Sequence, residues 1–91
     1  MALSIQHNTQ ASRFEYEENG LCCQLEYALN GNIMAINHTL VPSELGGRGI
    51  AGELTEAAFA YAKENQLKIK PVCSYTATYF KRHPEHNDLR A

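Results

Sequence analysis

Tryptophan is absent from the sequence, cysteine and proline occur three times each, and no apolar run approaches the roughly 18 residues that a membrane-spanning helix needs. Basic residues are also scarce, because 8 lysines and arginines stand against 10 aspartates and glutamates. The resulting net charge of −2 leaves no basic stripe for a nucleic-acid backbone. We therefore expect neither a membrane nor a nucleic acid as a partner.

The few cysteines exclude two further kinds of protein. Cys22 and Cys23 are adjacent and Cys73 is distant, a spacing that fits neither a disulfide framework nor a metal site. We predict reduced thiols, no bound metal and a cytoplasmic location. Residues 1–7 lack the basic and apolar regions of a signal peptide, which agrees with that location.

The sequence is long enough and apolar enough for one small globular domain covering residues 1–91, with 44% hydrophobic and 20% charged residues. Its first half predicts an antiparallel meander. Arg13–Glu18 alternates aromatic and charged residues, Asn19-Gly20 is typical of a hairpin turn, and Leu21–Leu29 is the returning strand. Ile33–Val41 has apolar residues on both faces of the predicted strand, which predicts a central strand covered on both faces. The residues before this meander form either a short first strand or a loose end.

The second half predicts a helix, a strand and a short helix. Apolar residues at helical spacing run over Ile50–Asn65, Leu67–Ser74 has a strand pattern interrupted by Pro71, and Tyr75–Arg82 can form a last helix before a tail. A helical crossover of this length permits a parallel return, whereas tight turns demand antiparallel neighbours. The predicted fold class is therefore α+β, with a mixed sheet made of an antiparallel meander, one crossover helix and a parallel strand, followed by a short C-terminal helix.

Three glycines, Gly46, Gly47 and Gly49, lie where the long helix begins. Glycine in a helix interior costs roughly 0.5–1 kcal/mol relative to alanine, so such a cluster needs a reason. Either the loop is simply flexible, or its backbone N–H groups and the helix dipole bind an anion, with Arg48 adding a positive charge. The spacing of the glycines is not that of a P-loop. Gly47–Gly52 matches the glycine spacing of the dinucleotide-binding fingerprint but lacks the surrounding βαβ unit.

The segment Gly46-Gly47-Arg48-Gly49-Ile50-Ala51 resembles the Q/R-x-x-G-x-G/A signature of the GNAT superfamily of acyl-CoA-dependent N-acetyltransferases. Its fourth and sixth positions match, whereas Gly46 replaces the usual Gln or Arg. Pro71–Tyr75 and Phe80–Asp88 follow at matching distances. Nearly the whole chain therefore resembles the short, stand-alone branch of that superfamily, and the expected fold is a minimal GNAT fold.

This resemblance implies that acetyl-CoA is bound, with no metal, and that an amine accepts the acetyl group. The residues implied to contact the cofactor are Gly46, Gly47, Arg48, Gly49, Ile50, Ala51, Tyr75 and Phe80. Backbone N–H groups near Leu40 and Val41 are implied to stabilise the carbonyl oxygen as it gains charge.

The last predicted helix resembles the N-x-x-A-x-x-F-Y pattern of the superfamily only in part. Ala77 and Phe80 match, but Lys81 stands where a tyrosine commonly protonates the leaving thiolate. Tyr75 or Tyr79 would have to supply that proton instead.

Two side chains are candidates for catalysis. Cys73 ends the strand that faces the thioester in the superfamily, and a helix N-terminus directly after it would favour the thiolate. The alternative is that Cys73 is a small buried side chain of the core, because it lies on the same strand face as Leu67 and Ile69. His38 is suited to proton transfer near neutral pH, but it is also predicted to share a strand face with apolar neighbours, which is typical of a core histidine.

Two functions of different classes follow. The first is an acetyl-CoA-dependent N-acetyltransferase that acts on an amine such as a protein lysine or N-terminus, either directly or through Cys73. The second is a non-catalytic CoA-binding or protein-interaction module with the same fold, favoured by Gly46 and Lys81. The segment His83–His86 carries metal-donor groups, but a solvated tail is the simpler interpretation. The sequence does not indicate an oligomeric state.

Overall fold

A five-stranded mixed sheet forms the centre of the computed structural model, which describes residues 3–91. Met1 and Ala2, the start of the segment considered for a signal peptide, lie outside the described residues. The strands lie in chain order across the sheet: β1 (Gln6–Asn8), β2 (Arg13–Glu18), β3 (Leu21–Asn30), β4 (Ile33–Leu40) and β5 (Lys68–Pro71).

The antiparallel meander predicted from the turns is confirmed, since β1 through β4 pair antiparallel with their neighbours. Asn19 and Gly20 connect β2 to β3 with φ angles of 54° and 76°. Two successive positive φ values are typical of the tight hairpin turns that match strand twist. Of the two alternatives for the first residues, the structure shows a short strand, β1.

Two helices and two 3₁₀ turns complete the described chain. They are α1 (Ile50–Glu64), α2 (Ser74–Arg82) and the 3₁₀ turns Ser43–Leu45 and Pro84–Leu89. The crossover through α1 returns the chain as β5, which pairs parallel with β4, so the mixed fold class is also confirmed. Within residues 3–91, no helix is both long and apolar enough to cross a membrane.

Strand β5 is shorter than the predicted Leu67–Ser74. It begins at Lys68 and ends at Pro71, which lacks the N–H group needed to continue the ladder. Ser74 already belongs to α2, and Cys73 is the N-cap of that helix. Cys73 therefore lies at a strand-to-helix junction instead of within the strand.

The core lies on one face of the sheet, between the strands and the two helices. In β4, Met34 and Ile36 are fully buried, but the alternate residues Ile33 and Ala35 are only half-buried, so the expectation of a strand covered on both faces is met fully on one face and partly on the other. The large side chains that exclude solvent almost completely are Phe59, Phe80, Leu25, Met34, Ile36, Ile50, Leu54 and Ile69. Phe59 of α1 stacks on Phe80 of α2 at 4.8 Å, which joins the two helices on this face.

A β-bulge at Asn37 reverses the alternation of β4. Tyr27 pairs with Ile36, whereas the preceding Glu26 pairs with His38, so one extra residue is inserted in β4. A single inserted residue moves every later side chain to the other face. The prediction that His38 shares a face with Met34 and Ile36 is therefore wrong: His38 is exposed beside Glu26.

The C-terminal segment is packed, so its interpretation as a tail is also wrong. Leu89 is buried, and the N–H of Ala91 donates to the carbonyl of Ile69 at 2.8 Å. The guanidinium of Arg90 lies 5.7 Å from the centre of the Phe80 ring. These contacts cover the outer edge of β5, an edge that would otherwise present free backbone groups.

His7 ties the short edge strand β1 to the core. Its ring stacks on Phe14 with centroids 4.0 Å apart, and a hydrogen bond of 2.6 Å joins its Nε2 to the hydroxyl of Tyr27. Tyr61 of α1 meets the same ring edge-on at 4.5 Å. Burial lowers the pKa of His7, because the charged imidazolium loses solvation among these rings.

We predict that acidification weakens the protein partly through His7. A histidine whose pKa is lower in the folded state stabilises that state above the unfolded pKa of about 6.5, and this stability is lost as the pH falls below it. His7→Phe keeps an aromatic ring but cannot be protonated. Between about pH 7.5 and about pH 5.5, the melting temperature should therefore fall less for His7→Phe than for the wild type. Equal falls, measured by circular dichroism, would show that His7 does not contribute.

Candidate active site

A gap opens in the sheet where β4 and β5 part. Their pairing stops at Ile36 and Pro71, and the N–H of Cys73 then donates to the carbonyl of Ile36 at 2.9 Å. Beyond this point β4 runs on from Asn37 to Leu40, while the chain after β5 turns into α2. We call the gap between residues 37–40 and residues 73–76 the slot.

The rim of the slot carries exposed apolar surface. Leu40, Val72 and Tyr75 are 44%, 56% and 39% exposed, which is high for side chains of this size. Tyr75 also reaches the first turn of α1, where its hydroxyl would lie 3.7 Å from a Cβ atom added at Gly52. The first turns of α1 and α2 are therefore neighbours, and both helix N-termini lie at this end of the molecule.

The glycine loop presents open backbone at the start of α1. Gly49 is the N-cap of α1 with a φ of 80°, a left-handed conformation that favours glycine, and a Cβ atom added there would meet no atom within 4 Å. The first turn of a helix has no carbonyl partners for its N–H groups, and within residues 3–91 no side chain caps this one. Leu45 is buried and anchors the loop to the core. The loop thus has the properties of an anion site.

Arg48 lies on this loop but forms an ion pair with Glu18 at the β2–β3 turn. Glu18 also accepts a hydrogen bond from the hydroxyl of Tyr16 at 2.7 Å. The hydrogen bond from Arg48 holds the pKa of Glu18 below its usual value. The pair is solvent-exposed and therefore screened by salt, so a phosphate could compete with Glu18 for the guanidinium.

Cys73 lies at the inner end of the slot, half-buried at the N-cap of α2. Burial alone would raise the pKa of its thiol. The backbone N–H groups of Thr76 and Tyr75 and the hydroxyls of Thr39 and Thr76 would stabilise the thiolate, and their combined effect outweighs burial, so the pKa of Cys73 is lowered. A lowered pKa raises the fraction of the thiolate, which is the form in which a cysteine is nucleophilic.

The other predicted catalytic residue, His38, is not beside Cys73 on the core side of β4. The bulge turns it to the opposite face, at the end of β4 that borders the slot. From there it could contact an acceptor that approaches from that face, but no contact with Cys73 is present.

The predicted cofactor contacts divide into two groups. The residues of the loop and the slot rim, Gly46, Gly47, Arg48, Gly49, Ile50, Ala51, Leu40, Val41 and Tyr75, lie at one end of the molecule. Phe80 lies in the core with 1% of its surface exposed, so it supports α2 from within and has no surface with which to contact a ligand.

The two tyrosines of α2 differ in their availability as an acid for a leaving thiolate. The hydroxyl of Tyr79 donates to the carboxylate of Glu56, and burial together with that hydrogen bond raises the pKa of Tyr79 far above its usual value. Burial also raises the pKa of Tyr75, although its side chain remains at the rim. Lys81 is exposed on α2.

Two residues that the sequence did not single out are Thr39 and Thr76. The sulfur of Cys73 lies 3.8 Å from Oγ1 of Thr39, which faces the core side only because of the bulge at Asn37. No pattern in the sequence signals that bulge. Helix numbering could have indicated Thr76, since the third residue of a helix faces the N-cap side chain.

The histidines near the C-terminus serve packing in this structure. His86 contacts Glu56 at 3.2 Å and meets the ring of Phe59 edge-on, whereas His83 stacks on Tyr79 at 4.1 Å. Across residues 3–91, no three His, Cys, Asp or Glu side chains are grouped in a way that could hold a metal ion.

Comparison with known proteins extends over nearly the whole chain. A family model described as GCN5-related N-acetyl-transferase matches residues 13–89. Protein NATD1 of Mus musculus is 32% identical over 85 residues, which cover 90% of this chain and 77% of the relative. Protein NATD1 of Gallus gallus is 31% identical over the same shares. A GCN5-like protein of Staphylococcus aureus, with a structure determined by NMR in solution, is 29% identical and superposes with a TM-score of 0.79 over 98% of this chain and 88% of that one.

Proposed function

Because this chain belongs to the GCN5-related N-acetyl-transferase family, we propose that it moves an acetyl group from acetyl-CoA to an amine. The observation that carries the proposal is the alignment of two features at one end of the molecule. One is the open glycine loop at the N-terminus of α1, and the other is the slot between β4 and α2. A pyrophosphate on the loop would allow a pantetheine arm to enter the slot.

Backbone atoms of the loop would hold the pyrophosphate. The N–H groups of the first turn of α1, from Ile50 and Ala51, have no helical partners and lie at the positive end of the helix dipole. Gly47 and Gly49 leave open space in front of them. With Gly46 in place of a longer polar side chain, Arg48 is the cation on the loop, and it would exchange Glu18 for phosphate.

Two chemical routes are compatible with this site. In the direct route, a neutral amine attacks the thioester carbon and the CoA thiolate leaves, with N–H groups near Leu40 and Val41 beside the carbonyl oxygen. In the covalent route, the Cys73 thiolate attacks first, forming an acetyl-cysteine thioester and releasing the CoA thiolate. The amine then attacks that thioester, forms the amide and returns the electron pair to the sulfur. The lowered pKa of Cys73 favours the covalent route.

The acceptor would approach from the sheet face that no helix covers. His38 and Leu40 are exposed on that face at the end of β4. An uncovered face suits an amine carried on a protein side chain better than a small molecule that needs an enclosing pocket. His38 would accept the proton that the amine loses, which is the role of a general base.

A non-catalytic CoA-binding module is the second candidate function. It is favoured by the commitment of the Tyr79 hydroxyl to Glu56 and by the presence of Lys81 where the superfamily has a tyrosine. Such a module would bind CoA through the same loop, yet it would leave an acceptor unmodified.

Substitution of Gly49 tests the ligand site itself. Gly49→Val places a branched side chain in the open space before the α1 N–H groups, so CoA binding should weaken at least tenfold, or about 1.4 kcal/mol. Arg48→Ala should cost less, because the backbone donors remain. Isothermal titration calorimetry with CoA measures both effects.

Gly31→Val is the matched control for this experiment. Gly31 also has a positive φ and no atom within 4 Å of an added Cβ, but it lies in the β3–β4 turn, away from the loop. It should bear similar strain and bind CoA as the wild type does. Wild-type affinity in folded Gly49→Val protein would overturn the assignment of the loop.

Trapping of an acetyl group tests the covalent route. Brief incubation with acetyl-CoA should leave an acetyl mass on the peptide that contains Cys73, and Cys73→Ala should abolish both this mass and transfer to an amine. Cys22→Ala is the control, because Cys22 is an exposed cysteine in strand β3, whereas Cys73 is the N-cap of a helix. If Cys73→Ala retains full transfer, direct attack is the mechanism. If neither acetyl-cysteine nor acetyl-amine forms while CoA still binds, the module is the function.

A further inference from the structure

Two threonines, Thr55 and Thr76, are completely buried, and they differ in how their hydroxyls are satisfied. Oγ1 of Thr55 donates to the carbonyl of Ala51 at 2.8 Å, the usual arrangement one turn back along a helix. Oγ1 of Thr76 is buried and has no hydrogen-bond partner within residues 3–91. Because an unpaired buried hydroxyl costs free energy, its presence at this position calls for an explanation.

The position of Thr76 in α2 explains why it lacks the partner that Thr55 has. Thr76 is in the first turn, and the residue four positions before it, Val72, precedes the helix. The carbonyl of Cys73 already accepts the N–H of Ala77 at 3.1 Å. The third residue of a helix instead lies beside the N-cap side chain, which here is the thiol of Cys73.

A second hydroxyl reaches the same sulfur from the sheet. Oγ1 of Thr39 lies 3.8 Å from the sulfur of Cys73, across the slot from Thr76. Thr39 pairs with the buried Leu25, and the bulge at Asn37 is what turns it to this face. A helix residue and a strand residue, brought together only by the fold, thus place hydroxyl groups around one thiol.

We propose that Thr76 and Thr39 are positioning residues for Cys73, whose hydroxyls donate hydrogen bonds to the sulfur when it is an anion. A neutral thiol is a weak acceptor, which explains why Thr76 has no partner in the thiol state, whereas a thiolate is a strong one. No capping hydrogen bond to the neutral sulfur is formed, although the N–H groups of Tyr75 and Thr76 face it. Ionisation of Cys73 would complete this set of donors.

The use of this arrangement in acetyl transfer rests on the proposed function, but the arrangement itself does not. It concerns the ionisation of one sulfur and can be measured without acetyl-CoA. The lowered pKa of Cys73 is consistent with it, since burial by itself acts in the opposite direction.

The experiment is the pH dependence of alkylation of Cys73 by iodoacetamide, followed by the mass of its peptide. In the wild type, the midpoint should lie below that of a free cysteine, about 8.5. Thr76→Val preserves the shape of the side chain but removes the donor. Its midpoint should rise by about half a unit or more, which slows alkylation at neutral pH about threefold. Thr76→Ser restores a hydroxyl and should restore the wild-type profile.

Thr55→Val is the matched control, because it removes the other fully buried hydroxyl and loses a hydrogen bond that Thr76→Val does not, so it shows any general effect of destabilisation. It should leave the alkylation profile of Cys73 unchanged. A rise in Thr55→Val equal to that in Thr76→Val would show a general effect of destabilisation and would overturn the proposal, as would a wild-type profile in folded Thr76→Val.

If Thr76→Val does not fold, Thr39→Val carries the test. Thr39 is only half-buried, so its replacement disturbs the core less. Its midpoint should rise as well, and an unchanged profile would overturn the proposal. The result is separable from the proposed function. A shifted midpoint without acetyl transfer in any variant supports the positioning role and contradicts the transferase. Acetyl transfer with an unshifted midpoint supports the transferase and contradicts the positioning role.

Discussion

The pairing of β4 with β5 ends at Ile36 and Pro71, and the geometry of the candidate site depends on that end. Each strand contributes a reason. Pro71 has no N–H group to extend the ladder, and the bulge at Asn37 adds a residue to β4 just beyond its last β5 partner. The hydrogen bond from the N–H of Cys73 to Ile36 then fixes the start of α2 against the sheet. The slot is therefore bounded by backbone on both sides.

The one-sided core explains why both helix N-termini face this slot region. The contact between Phe59 and Phe80 packs α2 against α1, and Tyr75 and Tyr79 lie close to Gly52 in the first turn of α1. The N-terminus of a helix carries a partial positive charge. Two such N-termini close together therefore favour an anionic ligand over a cationic one. Within residues 3–91 both helices pack on the same face of the sheet, and residues such as His38 are exposed on the other face.

Family membership and chemistry are separate questions in this protein. The family match and the superposition extend over nearly the whole chain. The last helix nevertheless resembles the superfamily pattern N-x-x-A-x-x-F-Y only in part. Tyr79 is held by Glu56, and Lys81 is exposed where a phenolic acid would be. Cys73, flanked by the hydroxyls of Thr39 and Thr76, is a group at the slot whose lowered pKa favours its charged form.

The sequence by itself determined the order and type of the elements, because these depend on local rules. Asn19-Gly20 specifies a tight turn, alternation specifies the strands around it, and the spacing of Ile50, Leu54 and Ala58 specifies α1. The glycine loop was also visible, since its conformation is a property of the glycines themselves.

Only the tertiary structure decided which side chains meet. The face of His38 depends on one inserted residue, Asn37, and no local pattern separates a bulged strand from a regular one. Phe80 lies in the core because Phe59 is opposite it, and the C-terminal segment packs because the edge of β5 is available. The convergence of Thr39 and Thr76 on Cys73 joins residues from a strand and a helix that are far apart in the chain. Such long-range contacts are set by the packing of the whole core, which explains why local sequence rules could not predict them.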